Sequence, residues 1–361
     1  MDELLNLDDF EAAACERLPA AARDYVRGGA ADEITLHENR EAFRRFQLLP
    51  RVLRDVSNID LTIDLFGERL SFPVLVAPTA FHSLAHPEGE LATARAAAAV
   101  GTVMVVSTMS SYRLEEIAAA ASAPKWFQLY CYRDRSVTRA LVERAEAAGY
   151  RAICMTVDLP RVGRRERDLR NRFSLPPGVS PKNFEDFLDL GRLAADERVR
   201  AFERYIGELV DPSLTWEAVD WLRSVTRLPL ILKGIMTRAD ARLAAERGVQ
   251  GIVVSNHGGR QLDTVPAAVE VLGEIVEEAG ERVVVLMDGG IRRGTDVAKA
   301  LALGARAVLV GRPCFYGLAV AGAEGVRRVL ELLKSELELT LALLGCRNPR
   351  EVTREYVRRS S

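Results

Sequence analysis

From Phe72 onward, short apolar runs alternate with helical segments, and this happens eight times before the chain ends. The runs are Val74 to Ala77, Val103 to Val106, Trp126 to Leu129, Ala152 to Val157, Pro229 to Leu232, Ile252 to Val254, Val283 to Met287 and Ala307 to Val310. Each is rich in β-branched or other large apolar residues and too short for a buried helix, which marks a strand. The alanine-, leucine- and glutamate-rich segments between them, such as 88–100, 136–148, 237–247 and 294–303, are helical in character. A strand that returns through a helix lies parallel to its predecessor, so the pattern demands a parallel sheet covered on both faces. Eight such units close a (β/α)8 TIM barrel. A doubly wound open sheet is the alternative, and the count favours closure.

The strand exits add a chemical constraint, because barrel active sites are built at that face. They read Pro78-Thr79, Ser107, Gln128 with Tyr130, Thr156 with Asp158, Lys233, Ser255 with His257, Asp288, and Gly311-Arg312. One polar strand end is ordinary, whereas a polar residue at all eight is the signature of a site. At the seventh and eighth strands, Asp288-Gly289-Gly290-Ile291-Arg292 and Gly311-Arg312 bring backbone NH groups and guanidinium groups to the place where barrels commonly bind phosphate. Glycine turns and arginines at helix ends occur for structural reasons too, but two adjacent ones favour phosphate. Lys233 follows Leu230-Ile231-Leu232 and needs a partner, either a neighbouring acid or a cofactor edge.

The sixth exit, Ser255-Asn256-His257-Gly258-Gly259-Arg260-Gln261-Leu262-Asp263, places a proton-exchanging imidazole three residues from a permanent cation. That pair suits an anionic substrate that must lose a proton. This stretch resembles the signature of the FMN-dependent 2-hydroxy-acid oxidising enzymes, the family of glycolate oxidase, lactate oxidase and mandelate dehydrogenase, and the resemblance runs from about Tyr25 to Pro313. It implies FMN as cofactor, with the phosphate on Arg312, Gly290 and Gly311 and with Asp288, Gly289 and Arg292 nearby. Pro78, Thr79 and Ala80 would approach flavin N5, Ser107, Gln128 and Thr156 its polar edge, and Lys233 the N1 side, with Ser255 among the cofactor contacts. Arg165 and Arg260 would clamp the substrate carboxylate with help from Tyr25. Tyr130 would bond the substrate hydroxyl, His257 would act as base, and Asp158 would stabilise its protonated form.

Such a chain oxidises an (S)-2-hydroxy acid to the 2-keto acid. No fused electron-transfer domain accompanies the barrel, so molecular oxygen is the expected oxidant. Position 109 falls where glycolate oxidase has a tryptophan over the side-chain pocket. Met109 opens room there, which points to aryl acids such as mandelate or 4-hydroxymandelate, with a lactate- or glycolate-type oxidase as the alternative. An FMN-dependent isomerase fits Arg165, Arg260 and His257 poorly, and a phosphate-binding barrel without catalysis leaves them without a purpose.

Composition bounds the rest. A formal net charge of −2 offers no general attraction to nucleic acid or anionic membrane. The cluster Arg161, Arg164, Arg165, Arg167 is local and belongs to a site. The five cysteines (Cys15, Cys131, Cys154, Cys314, Cys346) have no metal-type spacing and suit reduced thiols in the cytoplasm. No basic-then-apolar leader and no membrane-length apolar run is legible. We therefore expect one barrel domain over residues 1–361, with residues 1–70 as an N-terminal helical extension. Asp8 or Asp9 would cap its first helix and Gly28-Gly29 would end the helical entry. Residues 159–228 would form a long lid and the fourth helix, and the resemblance suggests a homotetramer.

Overall fold

All eight strands read from the sequence close into one parallel barrel. The computed structural model describes residues 3–187 and 210–360. Three short strands come before or below the barrel: β1 (Phe46–Leu48), β2 (Ile63–Leu65) and β3 (Glu68–Leu70). The barrel strands are β4 (Val74–Val76), β5 (Met104–Ser107), β6 (Lys125–Leu129), β7 (Ala152–Thr156), β8 (Leu230–Ile235), β9 (Gly251–Val254), β10 (Val284–Asp288) and β11 (Ala307–Val310). They pair in that order, and β11 closes onto β4. Almost every residue in them is buried, inward- and outward-facing alike. Covered on both faces, the strands show continuous apolar runs instead of alternation.

The N-terminal segment is less uniformly helical than its composition suggested. Helices α1 (Leu7–Arg17), α2 (Ala20–Arg27) and α3 (Ile34–Glu41) lead into β1, which pairs antiparallel with the C-terminal β12 (Val357–Arg359). The cap of α1 is Asn6, whose Oδ1 accepts from the amides of Asp8 and Asp9 at 2.9 and 3.0 Å. Asp9 completes the capping box by accepting from the Asn6 amide, so both aspartates lie inside the first turn and the expected cap moves back to Asn6. Gly28 ends α2, as read. The hairpin β2–β3 sits near the barrel floor, where Phe66 packs on Trp126 of β6 with centroids 5.4 Å apart.

Around the barrel run α4 (Gly89–Val100), α5 (Leu114–Ala119), α6 (Arg135–Ala147), α7 (Glu166–Arg170), α8 (Glu217–Val225), α9 (Arg238–Glu246), α10 (Ala268–Ala279), α11 (Gly294–Ala302) and α12 (Arg312–Leu344). The last is broken at Ala321 and Gly322. No helix of the described residues is long and apolar enough to cross a membrane.

The stretch expected to be a lid is described only in part. Residues 188–209, with the charges Asp189 and Arg192, lie outside the described residues. Residues up to 187 are anchored. The Asn183 amide group donates to Thr108 O and Ser110 Oγ, both at 2.9 Å, and Phe184 is fully buried. Arg167 grips Glu33 through two bonds of 2.7 and 2.6 Å, which ties α7 to the N-terminal segment. The Arg167 guanidinium holds the Glu33 carboxyl below its ordinary range, although burial pushes the other way.

Candidate active site

The C-terminal mouth of the barrel opens into a cleft of about 1190 Å³, counted with its open end. Every strand exit named above contributes at least one residue to it, and of the exit residues only Asp158 and Ser255 are set back from its surface. Parallel register sets the layout. Ser107 of β5 lies beside Gln128 of β6, and Thr156 of β7 beside Lys233 of β8. Gln128 Nε2 donates to Thr156 Oγ1 at 2.9 Å, while its Oε1 accepts from Ser107 Oγ at 3.3 Å, forming a polar row across three strands.

Beyond Lys233 the ladder slips by one residue at Gly234, where φ is +116°. A Cβ on Gly234 would stand 2.6 Å from Asp158 Cβ, so glycine makes room for that carboxylate beside the lysine. Lys233 Nζ lies 3.1 Å from Asp288 Oδ2 and donates to Ser255 Oγ at 3.0 Å. Burial works against its charge, but Asp288 and Asp158 outweigh burial and keep the ammonium above its usual range. Lys233 therefore does both things the sequence left open: it pairs with an acid and it faces the cleft.

Most residues of the 255–263 stretch have distinct tasks. Ser255 is buried, and its hydroxyl accepts from Lys233 and from the His257 amide at 3.0 and 3.1 Å, so it positions these two residues beside the cleft. Asn256 exchanges a reciprocal pair of amide bonds, 2.9 and 2.8 Å, with Asn39 of α3. Gly259, at φ +75°, lets the chain pass where a Cβ would be 2.6 Å from the Leu36 amide. Gln261 Nε2 donates to Asp158 O and Arg161 O, both at 2.9 Å, which pins the loop after β7. Asp263 accepts from the Ile34 and Thr35 amides and so satisfies the start of α3. Most of the stretch thus fastens the N-terminal helices and the β7 loop over the barrel mouth.

His257 sits at φ +58°, a left-handed backbone that costs on the order of 1–3 kcal/mol away from glycine. Its Nδ1 is 2.9 Å from Asp158 Oδ1, so with Nδ1 protonated the Nε2 lone pair is the one available. Burial lowers the imidazole's pKa below its ordinary value, more than Asp158 raises it, and Lys233 and Arg165 add to the lowering. Burial also pushes Asp158 up, yet His257 and Lys233 keep it ionised below the usual carboxylate range. Asp158 itself lies behind His257, off the cleft surface.

Arg165 and Arg260 both face the cleft. The Arg260 guanidinium lies 5.1 Å above the Tyr25 ring and donates through Nη1 to Tyr25 O and Gly28 O at 2.6 and 3.0 Å. Burial, then the nearby Arg165, pull its pKa down to about 9. The Arg165 Nε is buried without a hydrogen-bond acceptor among the described residues. Tyr25 also stacks on Phe173 with centroids 4.5 Å apart and planes 10° apart, so it is packing aromatic and cleft wall together. Tyr130 lines the cleft, with burial raising its phenol to about 12.

Gly289, Gly290 and Gly311 also line the cleft, with Arg292 and Arg312. Arg312 donates to Val26 O, Gly258 O and Gly28 O at 2.9 to 3.0 Å, which uses three of its five N–H groups. Arg292 Nε has no acceptor among the described residues. Burial depresses the pKa of both guanidinium groups, the mark of cations held out of water without enough counter-charge. Asp288 keeps one buried oxygen, Oδ1, without a partner as well.

These observations test the fit of FMN. A glycine-lined cradle flanked by two under-neutralised arginines suits a phosphate. The Ser107–Gln128–Thr156 row offers donors and acceptors for a flat heterocycle, and Lys233 offers a cation at its edge. The residues fit. Pro78, Thr79 and Ala80 also line the cleft. The sequence missed Phe81, Leu159 and Val162, which add apolar wall, because loop residues beyond a strand carry no periodicity.

A closed barrel whose mouth joins a glycine-lined cradle between two arginines to a buried cation and a His–Asp pair suits a flavoenzyme. Residues 14–359 match the family of FMN-dependent dehydrogenases. The chain is 51% identical over 357 residues to glycolate oxidase 3 of Oryza sativa subsp. indica, covering 99% of this chain and 97% of that one. It is 50% identical to a peroxisomal (S)-2-hydroxyacid oxidase of Arabidopsis thaliana, covering 99% and 97%. Among solved structures, mandelate oxidase with (S)-4-hydroxymandelic acid superposes with a TM-score of 0.93 at 46% identity, covering 99% of both chains. The chain belongs to the FMN-dependent 2-hydroxy-acid oxidase family. Its cofactor is FMN.

The phosphate cradle carries a first expected result. Replacing Arg312 with methionine removes a charge-assisted contact of about 1.5–3 kcal/mol, a loss of roughly ten- to 150-fold in FMN affinity. Fluorescence titration of apoprotein with FMN measures it. An unchanged dissociation constant would place the phosphate elsewhere.

Proposed function

We propose that this FMN-dependent (S)-2-hydroxy-acid oxidase takes aryl acids of the mandelate and 4-hydroxymandelate type, with dioxygen as oxidant. The observation that carries the substrate class is the wall of the cleft. Met109, 4% exposed, faces it together with Phe81, Leu159 and Val162. An unbranched thioether adapts its shape and packs well on an aromatic ring. A phenyl group buried there gains its apolar area at about 25 cal/mol per Å², whereas glycolate has no side chain to bury.

Arg165 and Arg260 hold the carboxylate, with Tyr25 packed beneath Arg260, and Tyr130 orients the hydroxyl. His257 receives the substrate proton at Nε2, and Asp158 holds the ring by Nδ1 and stabilises the imidazolium that results. Lys233 keeps positive charge at the cofactor edge, with Ser255 and Asp288 fixing Nζ. FMN, when bound, accepts the two electrons. The cytoplasm remains our assignment, consistent with five free cysteines and no disulfide among them; a homotetramer remains our assignment from the family resemblance.

A smaller hydroxy acid is the second possibility, favoured by the 51% identity to a glycolate oxidase. Anaerobic bleaching of the flavin against mandelate, 4-hydroxymandelate, lactate and glycolate separates the two. Aryl acids are expected to reduce it with the highest second-order rate. Met109→Trp is expected to reverse the order, cutting aryl reduction about five- to 150-fold by filling the space, on the scale of about 1–3 kcal/mol for overpacking. A wild-type preference for glycolate would overturn the aryl assignment.

A further inference from the structure

The arginine cluster after β7 divides by task. Arg167 is engaged with Glu33, and Arg165 faces the cleft. Arg161 and Arg164 do neither. With Arg133 and Arg165 they line a second cavity of about 950 Å³, counted with its open mouth. Its remaining lining, including Pro160, Gly163 and Pro212, is uncharged, and no carboxylate of the described residues is in it. Val162 and Arg165 line both this cavity and the cleft, so the two adjoin. Among the described residues, the one carboxylate paired with these four arginines is Glu166, 3.6 Å from an Arg164 that is 73% exposed.

The backbone that displays them is fixed. Gln261 holds Arg161 O at 2.9 Å, the Gly163 amide donates to Gln261 Oε1 at 3.1 Å, and the Ala31 amide donates to Arg164 O at 2.8 Å. A fixed concave cluster of one sign focuses field lines and concentrates counter-ions at its mouth. The chain as a whole carries a formal charge of −2, so this local excess runs against the average.

We propose that Arg133, Arg161 and Arg164 form an outer anion site, a vestibule that captures the carboxylate of an incoming hydroxy acid and delivers it to Arg165. The proposal rests on the function proposed above. Its ligand class is a small organic monocarboxylate, held as an ion pair before the side chain is buried. Because the vestibule is open to solvent, its effect is on the rate of arrival and is screened by salt.

The test is rapid-mixing reduction of the holoenzyme's flavin by mandelate at low and high ionic strength, in wild type, in Arg161→Gln/Arg164→Gln and in Arg161→Lys/Arg164→Lys. The glutamine variant is expected to lose about three- to tenfold of the second-order rate at low salt, and its rate to be nearly independent of salt. Its limiting rate at saturation stays at the wild-type value, and the lysine variant keeps the wild-type salt slope. A glutamine variant with the wild-type salt slope overturns the vestibule and leaves the hydroxy-acid assignment standing. A wild-type flavin that no hydroxy acid reduces overturns both.

Discussion

Replacing His257 with glutamine is expected to leave a yellow, folded protein whose flavin is reduced about 10²–10⁴ times more slowly, the range for loss of a positioned proton acceptor. Glutamine preserves much of the volume and can still donate toward Asp158 Oδ1, the partner now 2.9 Å from Nδ1. What it lacks is a basic nitrogen. The sign of the pH dependence follows from the same site. Burial lowers the imidazole's pKa, so the neutral, proton-accepting form persists below histidine's ordinary value near ~6.5. The acid limb of kcat/KM is therefore expected below that value, and it is absent in the glutamine variant. Asp158→Asn removes the main influence that raises the imidazole, so its limb moves lower still while the rate falls. Near wild-type reduction by the glutamine variant in rapid mixing would remove His257 from the role of base.

Lys233→Met is expected to be nearly as damaging, and for two reasons that separate experimentally. The lysine is 4% exposed and its Nζ lies 3.1 Å from Asp288 Oδ2. Removing it leaves a buried carboxylate without its cation, which costs about 3–5 kcal/mol of folding free energy. The variant therefore unfolds at lower temperature. The second effect is on the chemistry, where loss of one fixed charge at the cofactor edge costs on the order of 10²–10³ in rate. A Lys233→Met/Asp288→Asn double variant removes both charges; it is expected to recover much of the stability and little of the rate. Recovery of both together would mean that Lys233 serves the fold alone.

Much of this protein was legible because two of its constraints are local. An eight-times-repeated alternation of apolar run and helix leaves few topologies, and a parallel barrel places the C-terminal end of every strand on one face. Any polar residue just past a strand is thereby assigned to the mouth, which is why the strand pattern alone places Tyr130, Thr156, Lys233 and Asp288 there. The caps were less legible. Asp8 and Asp9 both look like helix starts, and only backbone geometry shows that Asn6 turns its side chain onto their amides.

The sequence by itself determined the strand order, the family and the chemical types gathered at the mouth, since these depend on periodicity and on short contiguous motifs. Only the tertiary structure decided what each of those residues holds. Ser255 joins Lys233 to the His257 amide, a matter of side-chain direction at a strand end. Asn256 and Asp263, inside the same stretch, serve α3, more than 200 residues earlier in the chain. Four neighbouring arginines, indistinguishable in the sequence, are sent to Glu33, to the inner cleft and to an outer vestibule by the path of one pinned loop. Burial and pairing act through space, across hundreds of residues, and no local pattern of residue types encodes that distance.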